Sequence, residues 1–248
     1  MLGNTITLPS KGVLYPNLSG GEVEVLPMKT GQEELLAGRP EMIPILNALI
    51  LNCVPKVKAM GMSPLDLISG DRMFLLFMIR KFTYGPTYGF KIKCPGCGLT
   101  YRQEIIIPDS LEVTELEEGA TSPFGVKLSD DKTEIGFKLL NGHDEIEIER
   151  FRNQAFKKGV QQGDPSYTYT IARHIVSIDG KEVTLKEALD YTRKMDGMDS
   201  QILQDEIKYI EPGLSRDLEL ECAQCGYDIE TALPFSSEFF RPKLRRRP

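Results

Sequence analysis

Histidine is nearly absent from this 248-residue chain, which holds only His143 and His174. His143 sits in the turn-like Asn141-Gly142-His143-Asp144, and His174 lies among Ile171, Ile175 and Val176 as a satisfied core or boundary residue. Also missing are a glycine-rich phosphate loop, a Gly-x-Ser-x-Gly elbow and a His-Glu-x-x-His pair. Acidic pairs such as Glu147 and Glu149 are expected on any solvated face of a chain with 36 acids. No enzyme is expected. The most apolar run, Met73 to Ile79, is too short to cross a membrane. Met1-Leu2-Gly3-Asn4 leads into a mixed stretch rather than an apolar signal core, so no leader is expected.

Cysteine is sparse too, but it is organised. Four of the five cysteines form two matched pairs, Cys94-Pro95-Gly96-Cys97-Gly98 and Cys222-Ala223-Gln224-Cys225-Gly226. A Cys-x-x-Cys turn aims two sulfurs at one point, and the glycine after it lets backbone amides tip toward them. Two such turns supply the four soft ligands of a closed tetrahedral zinc site. One structural Zn2+ per chain, held by Cys94, Cys97, Cys222 and Cys225, is the expectation. Two redox pairs and two disulfides are the alternatives. A redox pair wants a helix N-terminus after the cysteine, whereas strand-like runs follow both pairs here. The fifth, Cys53, follows Leu49-Ile50-Leu51 in a helical pattern and reads as a core thiol. An odd number of cysteines fits a reducing compartment.

The flanks match as well. Phe90-Lys91-Ile92-Lys93 and Leu218-Glu219-Leu220-Glu221 both alternate apolar and charged residues into the first cysteine, the period of a half-buried strand. Side by side, such strands would set Lys91 and Lys93 against Glu219 and Glu221. Residues 98 to 221 lie between the pairs, far more than the usual spacing of about 15–20. Closing a loop of that length is worth roughly 4 kcal/mol of unfolded-chain entropy at most. The metal therefore reads as a clasp on an insertion.

Along the chain, turn-rich β segments fill 1–28. Thr30 with Glu33 reads as a capping box for a first helix ending at Gly38. A second helix covers Met42 to Val54. A third starts at Ser63-Pro64 with Asp66, breaks near Gly70 and carries a Met73-Phe74-Phe77-Met78 core stripe. After Pro108, strands are expected over Phe124–Leu128 and Ile135–Leu140, around an acidic turn at Asp130-Asp131. A helix follows from Ile146 to Val160. Tyr167–Ile178 is ambiguous between strand and helix. Thr184 with Glu187 caps a helix to Met195, and Ser200 caps one to Ile210. The fold class is α+β. Residues 1–87 form a helical N-terminal segment. Residues 88–108 and 216–235 form a zinc ribbon, split into two Cys-x-x-Cys β-hairpins. Residues 109–215 form an inserted α/β subdomain, and 236–248 a basic tail.

Net charge is −6, yet the last eight residues carry Arg241, Lys243, Arg245, Arg246 and Arg247 without an acid. The body is more acidic still, which argues against nucleic acid as the main partner. Phe239 and Phe240 beside that positive cluster read as anchors for an acidic protein groove. A solvated tail and a nucleic-acid contact are the other readings.

An ordered set of short motifs runs through the chain. They are Leu8-Pro9-Ser10-Lys11-Gly12 with Tyr15, Val23-x-Val25, Glu33-Glu34-x-Leu36, Asp66-Leu67 with Gly70-Asp71, and Arg80 with Tyr84-Gly85. The two cysteine pairs and Phe239-Phe240-Arg241-Pro242 complete it. In this set the chain resembles the T-even-type phage baseplate protein family, with a looser match over 110–215. The resemblance implies a hub component or hub assembly factor of a contractile tail, present in the virion or acting in the host cytoplasm during assembly. Its partners would be other baseplate proteins. A nucleic-acid-binding zinc ribbon using the basic tail, and a hydrolase with an unrecognised site, are the alternatives. Oligomeric state is not legible.

Overall fold

A computed structural model describes residues 4–36, 42–157, 159, 163–235 and 237–240. The first element pair is β1 (Asn4–Thr7) with β2 (Glu22–Val25), antiparallel, with Asn4 opposite Val25. α1 (Thr30–Glu33) follows and tightens into a 3-10 turn at Glu34–Leu36. Its cap is Lys29 rather than Thr30, because the Gln32 side chain accepts from the Lys29 amide. Gly38, the expected stop, lies outside the described residues.

α2 (Met42–Cys53) and α3 (Pro55–Ala59) lead to a 3-10 turn at Pro64–Asp66, where Ser63 Oγ accepts from the Leu65 amide at 3.2 Å. Cys53 is buried, and burial pushes its thiol up to about 11. The chain then extends through Leu67 and Ile68 before α4 (Ser69–Tyr84), so the break precedes Gly70. Gly70 is inside α4, and the close approach of the Pro212 backbone accounts for a glycine there, since a Cβ would land on the Pro212 carbonyl oxygen. Gly70→Ala is expected to cost about 1–3 kcal/mol through overpacking against rigid backbone. A melting curve unchanged by that substitution would show that the contact yields freely.

α4 is the central helix and carries three buried charged residues, Asp71, Arg72 and Arg80. Asp71 accepts from the Ser10 amide (3.1 Å), the Ser10 hydroxyl (2.5 Å) and the Tyr15 hydroxyl (2.8 Å). The Tyr15 oxygen in turn accepts from the Ile68 amide at 2.9 Å. Burial holds the Asp71 carboxyl above the ordinary carboxylate range despite those donors. One turn from the C-terminus of α4, Arg80 donates to the carbonyls of Gly85 (2.5 Å) and Thr87 (2.6 Å). The Ser10, Tyr15, Asp71 and Gly85 motifs are thus parts of two buried hydrogen-bond clusters.

Two hairpins pack on this frame, β3 (Thr87–Lys93) with β4 (Thr100–Ile106) and, late in the chain, β11 with β12. Between them runs an excursion. β5 (Val113–Thr114) opens it. β6 (Phe124–Lys127) and β7 (Glu134–Phe137) follow, then α5 (Gly142–Lys157), α6 (Tyr167–His174), β8 (Ile175–Ile178) and β9 (Lys181–Glu182). α7 (Leu185–Thr192), α8 (Gly197–Ile210) and β10 (Gly213–Leu214) complete it. β6-β7-β8-β9 form an antiparallel sheet, and α6, α7 and α8 bury Ile171, Ala172, Ala188, Leu203 and Ile207 against it. The ambiguous 167–178 stretch is both things in turn, helix and then strand. Thr184 and Glu187 form the expected capping box. α8 begins earlier than expected, with Asp196 rather than Ser200 at its cap. α5 also begins early, which places His143 in a first turn with its ring 2.9 Å from Asp66. His174 is satisfied, Nδ1 lying 2.8 Å from the Lys138 carbonyl.

The excursion returns where it left. Val113 pairs with Leu214, Thr114 with Gly213, and the Ser215 amide donates to Glu112. Arg72 of α4 also pairs with Glu145 of α5. The chain ends its described course with β11 (Asp217–Glu221), β12 (Asp228–Ala232) and α9 (Ser237–Phe240). Helices and small antiparallel sheets make this α+β. No helix among the described residues is long and apolar enough to cross a membrane.

Candidate metal centre

Each hairpin delivers its cysteines by the same local logic. Tyr88, Phe90, Ile92 and Cys94 alternate inward along β3, as do Leu218 and Cys222 along β11. The turns close alike. The Cys94 amide donates to Leu99 (2.8 Å) and the Gly98 amide to Cys94 (2.9 Å). The Cys222 amide donates to Tyr227 (3.0 Å) and the Gly226 amide to Cys222 (2.8 Å). Gly98 and Gly226 sit at φ of +72° and +67°, the left-handed region that glycine enters without cost to a side chain. The two turns touch, since a Cβ on Gly96 would meet the Tyr227 ring.

All four sulfurs converge within 4.8 Å of one another. Cys94 and Cys225 are 3.6 Å apart, and Cys97 and Cys222 are 3.9 Å apart. A disulfide needs about 2.05 Å, and all five cysteines are free. Four thiolates around one zinc, with Zn–S near 2.3 Å, would stand about 3.8 Å apart. Strands rather than helices follow both pairs, so neither has the helix N-terminus of a redox motif.

The electrostatics fit a cation. The amides of Gln224 and Cys225 draw the Cys222 thiol down to about 7. At Cys225 the Tyr227 amide favours the thiolate, but desolvation and the sulfurs of Cys94, Cys222 and Cys97 prevail and push it up to about 12. Four sulfurs this close cannot all ionise without a positive charge among them. Tyr101 adds a buried hydroxyl with no hydrogen-bond partner among the described residues, its pKa raised by burial and then by the Cys222 and Cys94 sulfurs. These four cysteines could hold a metal ion.

Two expectations fail here. β3 pairs with β4 and β11 with β12, so the flanking strands do not lie side by side. No ion pair joins Lys91 or Lys93 to Glu219 or Glu221, because each strand satisfies its ladder with its own hairpin partner. Phe239 and Phe240 are not exposed anchors either. Both are fully buried, with Phe239 ring centroids 4.6 Å from Phe77 and 5.0 Å from Tyr88, and Phe240 5.4 Å from Phe235. They seal the frame beneath Arg80, whose guanidinium lies 5.7 Å from the Phe239 ring. Arg241, Lys243, Arg245, Arg246 and Arg247 lie outside the described residues. The buried charges Asp71, Arg72 and Arg80 had no sequence signal of their own, though Asp71 and Arg80 stand in the motif set quoted above.

A family model described as "T4 bacteriophage base plate protein" matches residues 4–241. No curated protein and no solved structure matches the chain.

Proposed function

Because the chain belongs to the family of T4 bacteriophage base plate proteins, we propose that it serves the hub of a contractile-tail baseplate, as a hub subunit or hub assembly factor. The match over nearly the whole chain is the observation that carries this reading. A baseplate protein works among other phage proteins, so its task is binding. The hub is the centre on which the rest of a baseplate is ordered, and a rigid frame suits simultaneous contacts there.

The metal is read as one structural zinc per chain, ligated by Cys94, Cys97, Cys222 and Cys225. Soft thiolates in a tetrahedral set select zinc or iron over hard cations. A four-cysteine site leaves no open position, so bound zinc would cross-link the two hairpins rather than act on a substrate. Residues 109–215 are read as an inserted subdomain held at its base by that cross-link and by the β5–β10 seam. The basic residues from Arg241 to Arg247 are read as a contact for an acidic protein surface.

The test is a phage with a nonsense codon in this gene. Filled heads without normal tails are expected by electron microscopy. Normal contractile tails in that mutant would reject the hub assignment.

A further inference from the structure

The two hairpins carry exposed faces of opposite sign, and among the described residues neither face pairs with the other. On β11–β12 the outward residues are Asp217, Glu219 and Glu221 on one strand and Asp228 and Glu230 on the other, all exposed. The register sets Glu219 opposite Glu230 and Glu221 opposite Asp228. Like charges directly opposite weaken a two-stranded pair. Among the described residues only Asp217 of these five has an ion pair, a 3.5 Å contact to Lys208 with both side chains mostly in solvent. Asp217, Glu219 and Glu230 also line a groove of about 1460 Å³ that reaches to Asp205 and Glu211.

The outward face of β3–β4 is the complement. It presents Lys91 and Lys93 on one strand and Arg102 on the other, with Lys91 opposite Arg102 and Glu104 as the single acid on that face. Arg102 reaches only Glu104, at 3.4 Å, and the two lysines have no ion pair among the described residues. The faces are built to one plan. Lys93 and Glu221 each precede the first cysteine of their turn, and Lys91 and Glu219 stand two residues earlier. In a single chain the two hairpins meet through their sulfurs and leave these rows apart.

We propose that the acidic β11–β12 face of one copy receives the basic β3–β4 face of a second copy of this chain. Such a contact is heterologous: each copy offers both faces, so repetition gives a ring or an open row. Its strength is electrostatic, so it weakens steeply with salt. It concerns the purified chain alone and does not depend on the hub reading.

Sedimentation velocity of the full chain over a range of concentrations tests it. Association is expected at low salt, with an apparent Kd that rises at least about tenfold between 50 and 500 mM salt. The neutral variants E219Q/E230Q and K91Q/K93Q should each stay monomeric while keeping native circular dichroism. Mixed together, they should form a one-to-one dimer that grows no further, since one good face of each kind remains. A wild type that stays monomeric at low salt overturns the proposal. So does association that survives in both variants. If a chain ending after Phe240 loses association that K91Q/K93Q retains, the occupant is the basic tail and the paired-ribbon contact is rejected.

Discussion

Cys222→Ser is expected to empty the whole metal site and to lower the melting temperature by at least about 10 °C. Purified wild type should carry one zinc per chain by elemental analysis. All four sulfurs lie within 4.8 Å, so they can share one ion, and losing one ligand should then release it from the other three. Were each Cys-x-x-Cys pair a separate site, half the metal would remain. The size of the effect follows from what the ion holds. Isolated two-stranded hairpins are marginal in water, and β3–β4 and β11–β12 share no backbone ladder. Structural zinc contributes about 10–16 kcal/mol of apparent binding free energy in small peptides. Even a third of that corresponds to about 10 °C for a chain of this length, at roughly 2–4 °C per kcal/mol. Cys94→Ser should behave alike, and chelation of the wild type should reproduce both. A metal-free wild type that melts at the same temperature would sink the cross-link. Iron in place of zinc would keep the site and change its ion.

The second large effect lies at the other end of the frame. A chain ending after Glu238 is expected to lose at least about 3–5 kcal/mol, because Phe239 and Phe240 are both fully buried and removing even one large aromatic from a core costs about that much. Phe239 also makes aromatic contacts with Phe77, Tyr88, Phe235 and Phe240, each worth about 0.5–1.5 kcal/mol beyond burial. The Arg80 guanidinium beneath it would lose one of its two aromatic covers, keeping the Tyr88 ring at 5.2 Å and the neutral carbonyls of Gly85 and Thr87. A chain ending after Phe240 is the control and should melt near the wild-type temperature. A shift of under about 2 °C on stopping at Glu238 would show that the aromatic seal is dispensable.

The two effects divide what the sequence could tell from what it could not. The cysteine turns were legible because their chemistry is local: ligand type, two-residue spacing and a following glycine all lie within five positions. The period-2 flanks and the Thr184 capping box were legible for the same reason. Failures came where a distant residue decided. Phe239-Phe240 beside a run of arginines looks like an exposed anchor by composition, but its partners Phe77 and Tyr88 sit over 140 positions away. Lys91 and Glu219 look like cross-strand partners by charge, yet a strand takes the nearest available ladder, its own hairpin. Ser200 and Thr30 are good cap residues, but Asp196 and Lys29 hold the observed starts, because short helices are placed by packing more than by propensity. The buried Asp71 cluster ties residues 10, 15, 68 and 71 through hydrogen bonds that no spacing announces.

The two-residue seam between β5 and β10 also bears on time. A ribosome adding about 5–20 residues per second exposes Cys94 and Cys97 roughly 6–25 seconds before Cys222 and Cys225 emerge. During that interval the first pair is half a binding site on a growing chain. The buried cluster made by β6 to α8 depends on nothing after Ile210, so it can form before the second pair appears. Once Val113 and Leu214 are paired, the route between the cysteine turns shortens to residues 98–113 and 214–221. By the logarithmic cost of closing a loop, that shortcut makes the late encounter of the two turns easier by roughly 1.4 kcal/mol, about tenfold. The seam gives the nascent chain an order of events, in which the middle folds first and the ends then find each other across a short gap.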